Sequence, residues 1–225
     1  MKSLLILSQP RSMSSECFRI ARKAIPALKD PETPGHHIFA GEVLNEDYSP
    51  SLAKCKRYFP NQVPVYNLLD KYREGYVIKD VVQTGSVFTY LKTAPQNYNI
   101  LVMDRRVEDV AYFMWKKGWT YPIDILGLRH TSSKNEATLV LLCYSLMKIR
   151  REYIYPLNAT TITWAELTRD YNIIFDKLES LGYKCKRYNY INEESRKIAE
   201  DRRRERQTPV YKRIEKICKD IRNEL

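Results

Sequence analysis

The sequence predicts an α/β fold: three layers, with a parallel sheet covered by helices on both faces. Three observations carry this expectation. Short apolar runs of strand length, such as LLIL at Leu4–Leu7 and ILVM at Ile100–Met103, recur along the chain. Longer segments with apolar residues three and four apart lie between them. The runs are continuous rather than alternating, as expected of strands buried on both faces, and strand–helix alternation builds parallel βαβ units. With 225 residues, 44% of them hydrophobic, the chain can bury a sizeable core, and one domain over residues 1–225 is expected.

The elements follow in order. Leu4–Ser8 reads as a buried strand. Ser14–Ala24 reads as a helix with Cys17, Phe18, Ala21, Ala24 and Ile25 on one stripe, ended by Pro26. Residues 27–36 form a loop punctuated by proline and glycine. Tyr76–Lys79 is a short strand and Asn99–Met103 a stronger one. Glu108–Lys117 is helical, and Ala137–Arg151 forms a long helix with Leu139, Leu142, Cys143, Leu146 and Ile149 along one face. Ala159–Trp164 (ATTITW) is β-branched and strand-like. Glu166–Leu181 returns to a helix that stops at Gly182. Past Tyr183 the pattern predicts one more short strand and a basic helical segment, about residues 193–225.

Composition narrows the function. No apolar stretch is long enough to span a membrane. Lys2 and the run after it resemble a signal peptide only superficially, because the polar turn Ser8-Gln9-Pro10-Arg11 follows directly. A cytoplasmic protein is the expectation. Five scattered cysteines without a CxxC point to reduced thiols rather than a disulfide framework or zinc site. The adjacent His36-His37 pair lacks helical metal-ligand spacing and reads as loop histidines.

The net charge is +11, with a pI near 9.3. From Lys184 onward 14 Lys and Arg face 8 Asp and Glu, so this segment alone contributes +6. A solvated basic helix accounts for that surplus, as does a polyanionic partner: nucleic acid, membrane surface or small charged ligand. Neither Cys/His finger spacing nor an RNP-type aromatic motif is present, so nucleic acid is not expected.

In α/β sheets ligands bind at the carboxyl ends of strands, beside helix N-termini. The turn after the first strand, Pro10-Arg11-Ser12-Met13-Ser14-Ser15, sits at such a place. A helix N-terminus attracts anions, Arg11 adds a planar bidentate fork, and Ser12, Ser14 and Ser15 add hydroxyls. The alternative is that Ser12 or Ser14 caps the helix and Arg11 is a surface residue. A Walker-type loop is set aside, because it needs G-x-x-x-x-G-K-[ST] and the first glycine in the chain is Gly35.

LSQPRSMSS resembles the 5′-phosphosulfate loop of sulfotransferases that use 3′-phosphoadenosine 5′-phosphosulfate (PAPS), written P-R-S-G-[ST]-[ST] in tyrosylprotein and bacterial members. Three further segments follow in the family's order, so the resemblance spans roughly Leu4 to Gly182. Gly41-Glu42 resembles the segment that supplies a carboxylate. Asn99–Ala111 (NILVMDRRVEDVA) resembles the 3′-phosphate segment, a strand followed by R-D-P-x-D-V. Ile162–Leu167 and the helix after it resemble the late Y-E-D-L segment. The chain departs from the family at Met13, where the loop usually has glycine, and at Arg106, Val107 and Phe113 in the 3′-phosphate segment. It departs again at Trp164, which stands for tyrosine.

The resemblance implies a P-loop-like sulfotransferase fold and a PAPS co-substrate, with no metal required. Arg11, Ser12, Met13, Ser14 and Ser15 would surround the 5′-phosphosulfate, and Arg105 would read the 3′-phosphate. Trp164 would stack on adenine or donate a hydrogen bond, or else serve as a core aromatic. Glu42 is the expected base, with Asp80, Glu16 and His37 as fallbacks, and Lys79 lies near the sulfuryl group or simply ends a strand. Arg204, Arg206 and Lys212 would cover the nucleotide. Two other classes remain: a small-molecule kinase on the same sheet, and a non-enzymatic nucleic-acid or anion-binding module. The acceptor hydroxyl and the oligomeric state are not written in these motifs.

Overall fold

Four parallel strands form one sheet in the order β2-β1-β3-β4, where β1 is Ser3–Ser8, β2 Val77–Asp80, β3 Tyr98–Asp104 and β4 Thr160–Thr163. The computed structural model describes residues 1–9, 12–31, 63–80, 85–118, 135–154, 157, 159–189, 200–201 and 203–224. β1 is central, and all six of its residues are buried. Its register sets Leu7 beside Asp80 of β2 and Ser8 beside Met103 of β3, while Asp104 lies beside Thr163 of β4. The carboxyl ends of the strands are therefore level, which makes one continuous edge for a site.

The two-residue period of the strands divides the core. Leu4, Ile6, Leu101, Met103 and Ile162 face a layer made by α1 (Ser14–Ala24) and, later in the chain, residues 173–180. Leu5, Leu7, Ile78, Ile100 and Val102 face the other way, onto α2 (Val63–Lys71) and α3 (Gly85–Thr93). Burying each such side chain stabilises the fold by about 1.5–3 kcal/mol. The three-layer expectation therefore holds. A 3₁₀ turn, Pro95–Asn97, leads into β3.

A third apolar cluster lies among α4 (Val107–Lys117), α5 (Glu136–Tyr153) and the C-terminal helix Pro209–Glu224. Tyr211, Ile214 and Cys218 of that last helix, at helical spacing, pack on Val110, Met114, Leu139 and Cys143. The basic residues of that helix, Lys212, Arg213, Lys216, Lys219 and Arg222, are exposed, as a solvated basic helix requires, while its opposite face is core.

Two expectations are corrected. The helix expected over Glu166–Leu181 is two helices, α6 (Trp164–Arg169) and α7 (Ile173–Ser180). Asp170 breaks it: its carboxylate accepts from the Asn172 backbone N–H at 2.8 Å and side-chain amide at 2.9 Å, an Asx turn that competes with helix. The strand expected after Tyr183 is not formed among the described residues 183–189. Lys186 N–H instead bonds Ala24 C=O at 2.7 Å, and the Tyr188 ring packs edge-on against Phe175, which holds this segment on the helix layer. The last helix, α8, is Pro209–Glu224.

Candidate functional site

The first turn was expected to bind an anion, or else to be capped by serine. Neither Ser12 nor Ser14 is the cap. The N-cap of α1 is Met13, and no side chain caps the helix. First-turn amides have no intrahelical acceptor, so the end of α1 keeps its positive character toward the carboxyl edge of β1. Ser12 is 1% exposed, and its Oγ has no hydrogen-bond partner among the described residues. Gln9 Oε1 is likewise a buried acceptor without a hydrogen-bond partner among the described residues.

Met13 shows how the loop turns without glycine. It has φ 63° and ψ 28°, the left-handed conformation that glycine adopts freely. Its side chain packs against the core cluster of α1, and its Sδ receives the Tyr171 hydroxyl at 4.0 Å. The thioether therefore points into the helix layer.

Lys79 is 1% exposed, and its Nζ donates to Ser15 Oγ at 2.7 Å. It fixes the Ser15 hydroxyl and carries its charge beneath the start of α1. Burial pushes the neighbouring Cys17 thiol up to about 12, opposed by the Lys79 charge, so this thiol is inert at neutral pH. Asp80, a fallback base, is 3% exposed beside Lys79 in β2. Glu16 is partly buried and paired with Arg19.

At the ends of β3 and β4 a second cluster forms. The Arg105 side chain is 2% exposed, with Nε 3.4 Å from Asp109 Oδ2. Arg206 reaches the same carboxylate with Nε at 3.2 Å and Nη2 at 2.8 Å, and the Tyr211 hydroxyl donates to it at 2.7 Å. Burial alone would raise the Asp109 carboxyl. The Arg206 hydrogen bonds, the Arg105 charge and the Tyr211 hydroxyl outweigh it and hold the group below its ordinary value.

Trp164, the first residue of α6, places its ring 5.0 Å from the Arg105 guanidinium carbon and 5.6 Å from that of Arg206. Its ring thus serves as a cation–π partner. Its Nε1 is buried without a hydrogen-bond acceptor among the described residues. Thr163, its predecessor, caps α6 reciprocally with Glu166. That box fixes the angle at which the indole leaves the strand.

The structure thus brings Ser12, Met13, Ser14, Ser15 and Lys79 together around the first turn, and Arg105, Trp164 and Arg206 together at the neighbouring strand ends. With strands about 4.8 Å apart, the edge from β2 to β4 spans about 14 Å. Arg11, Glu42 and His37 lie outside the described residues. Arg106 turns to Glu108 and Glu215, each at 3.4 Å. Phe113 is buried, and Arg204 and Lys212 are exposed. Sequence reasoning missed Asp109 and Tyr211. The signals were a carboxylate inside an apolar run, VEDVAYFM, and a tyrosine in register with Ile214 and Cys218.

No protein-family model matches the chain, and no curated protein matches it in sequence. Among solved structures it is similar to the mouse sulfotransferase SULT7A1 complexed with PAP. The identity is 15% and the TM-score 0.43, and the alignment covers 89% of this chain and 64% of that one. No described helix is long and apolar enough to cross a membrane.

Proposed function

We propose that this protein is a cytoplasmic sulfotransferase that moves a sulfuryl group from PAPS to a hydroxyl acceptor by in-line displacement. The S–O bond to the acceptor oxygen forms as the S–O bond to the 5′-phosphate breaks. The acceptor proton passes to the Glu42 carboxylate, and 3′,5′-ADP leaves. Arg11 and the first-turn amides hold the 5′-phosphate as charge builds on the leaving oxygen, with Ser12, Ser14 and Ser15 orienting it. Lys79 acts through Ser15 and adds positive potential beneath the turn. Arg105 reads the 3′-phosphate, with Trp164 and Arg206 beside it. The scheme routes no step through a metal.

One observation supports this reading above the rest. A helix N-terminus without a side-chain cap, carrying a buried unpartnered Ser12 hydroxyl, stands one strand away from a buried arginine at the end of β3. This is the charge pattern for a nucleotide with phosphates at both ends. The family motifs fall on the same two places.

The test is a thermal-shift comparison of 3′,5′-ADP with ATP plus magnesium. At 100-fold excess over Kd, 3′,5′-ADP should raise Tm by about 5–10 °C. Arg11→Ala and Arg105→Ala should each abolish most of that shift. A Glu42→Gln variant should bind 3′,5′-ADP normally and lose turnover. Equal shifts with both nucleotides would replace this reading with a kinase.

A further inference from the structure

Asp109 has none of the roles assigned above, yet three separate parts of the chain converge on its carboxylate. Arg105 follows β3, Arg206 precedes α8, and Tyr211 lies in the first turn of α8. The Asp109 side chain is 3% exposed, against 30% for Arg206. The carboxylate is therefore at the back of the cluster, with the Arg206 guanidinium toward the surface. Two guanidinia share the Asp109 carboxylate, and the buried Trp164 Nε1 adds a donor that finds no acceptor among the described residues. A phosphate monoester has the charge and the acceptor oxygens to complete this arrangement.

We propose that Asp109 is a positioning residue, which holds Arg105 and Arg206 together as one two-armed fork for the 3′-phosphate of the nucleotide and so makes docking of the C-terminal segment a condition of nucleotide recognition. The proposal rests on the sulfotransferase reading. Held from behind, the two arginines keep a shared orientation that free side chains would have to acquire on binding. Selectivity for the 3′-phosphate then depends on Asp109 and Arg206, 97 positions apart, as well as on Arg105, and neither arm alone suffices.

Isothermal titration of 3′,5′-ADP and 5′-AMP separates this role from a merely structural one, because only the 3′-phosphate differs between them. The wild type is expected to prefer 3′,5′-ADP by about 100-fold, the value of two charge-assisted contacts. Asp109→Asn and Arg206→Gln should each lower that preference about 10-fold, and Asp109→Glu should recover part of it. Glu179→Gln, which breaks a surface pair with Arg187 outside this cluster, should leave the ratio unchanged. If Asp109→Asn weakens both ligands equally and keeps the ratio, Asp109 is structural and the proposal falls, while the sulfotransferase reading stands. If the wild type binds both ligands alike, the sulfotransferase reading falls and takes this one with it. Should Asp109→Asn not fold, Arg206→Gln decides alone: an unchanged ratio overturns the fork.

Discussion

Met13 illustrates how a single residue can meet a backbone demand that its type disfavours. A left-handed conformation costs an L side chain about 1–2 kcal/mol. Here the thioether recovers part of this by packing beside Tyr171. Met13→Gly should therefore change stability by less than about 1 kcal/mol, because relief of the conformation offsets the lost contact. Met13→Ile should cost about 1–2 kcal/mol, since a β-branched residue is poorly accommodated at positive φ. Urea denaturation reads both, and an unchanged midpoint for Met13→Ile would mean that the turn is not left-handed. Asp109 gives a second prediction at this scale. Its folded-state carboxyl titrates below the ordinary 3.8, so it binds a proton less readily folded than unfolded. Its contribution is thus fully present above about pH 4 and is lost as the pH falls through the depressed value. Melting curves from pH 6 to pH 2.5 should fall more shallowly for Asp109→Asn than for the wild type.

At the scale of elements, two consecutive carboxylates in the first turn of α4 clamp α8 near both ends. Asp109 takes Arg206 and Tyr211, while the fully buried Glu108 takes Arg222 from the last turn. Arg222 is half exposed and Glu108 also has Arg106 at 3.4 Å, so solvent and a second partner soften the loss of this pair. Arg222→Ala should therefore destabilise the protein by about 1 kcal/mol, and hydrogen exchange should rise in α8 before it rises in β1. Uniform exchange across both elements would show that α8 does not open by itself. These clamps also mark where the sequence stops being legible. β1, β3 and α1 declare themselves in local pattern: Ser14–Ala24 was expected and found with the same bounds. Lys79, Arg105 and Trp164 were named from motifs, and the fold gathers them at one edge. The Asp109–Arg206 pairing spans 97 residues and has no local signature. α2 and α3 were missed because neither VPVYNLLDK nor GSVFTYLKT has a run of strong helix formers. The break at Asp170 was missed because a side chain, rather than a proline or glycine, makes it.

For the whole molecule, the question is what a net charge of +11 is for. The tail surplus of +6 suggested either a solvated helix or a polyanion partner. In the folded chain Arg206, Arg213, Arg222 and Arg187 pair with Asp109, Glu136, Glu108 and the Asp176–Glu179 pair, all of which precede the tail. Much of the surplus is therefore internal compensation: basic residues late in the chain answer acidic ones in its body. A nucleic-acid-binding tail would behave differently. Six phosphates neutralised would give a log K against log salt slope of about −5 on duplex DNA. With four of these arginines already engaged, the slope between 0.1 and 0.3 M salt should be no steeper than about −2. Fluorescence anisotropy with a labelled duplex measures it directly. A slope near −5 would mean that the arginines leave their carboxylates for phosphodiesters. That would free α8 from α4, dismantle the Arg105–Arg206 cluster, and favour a polyanion-binding module over a nucleotide-dependent transferase.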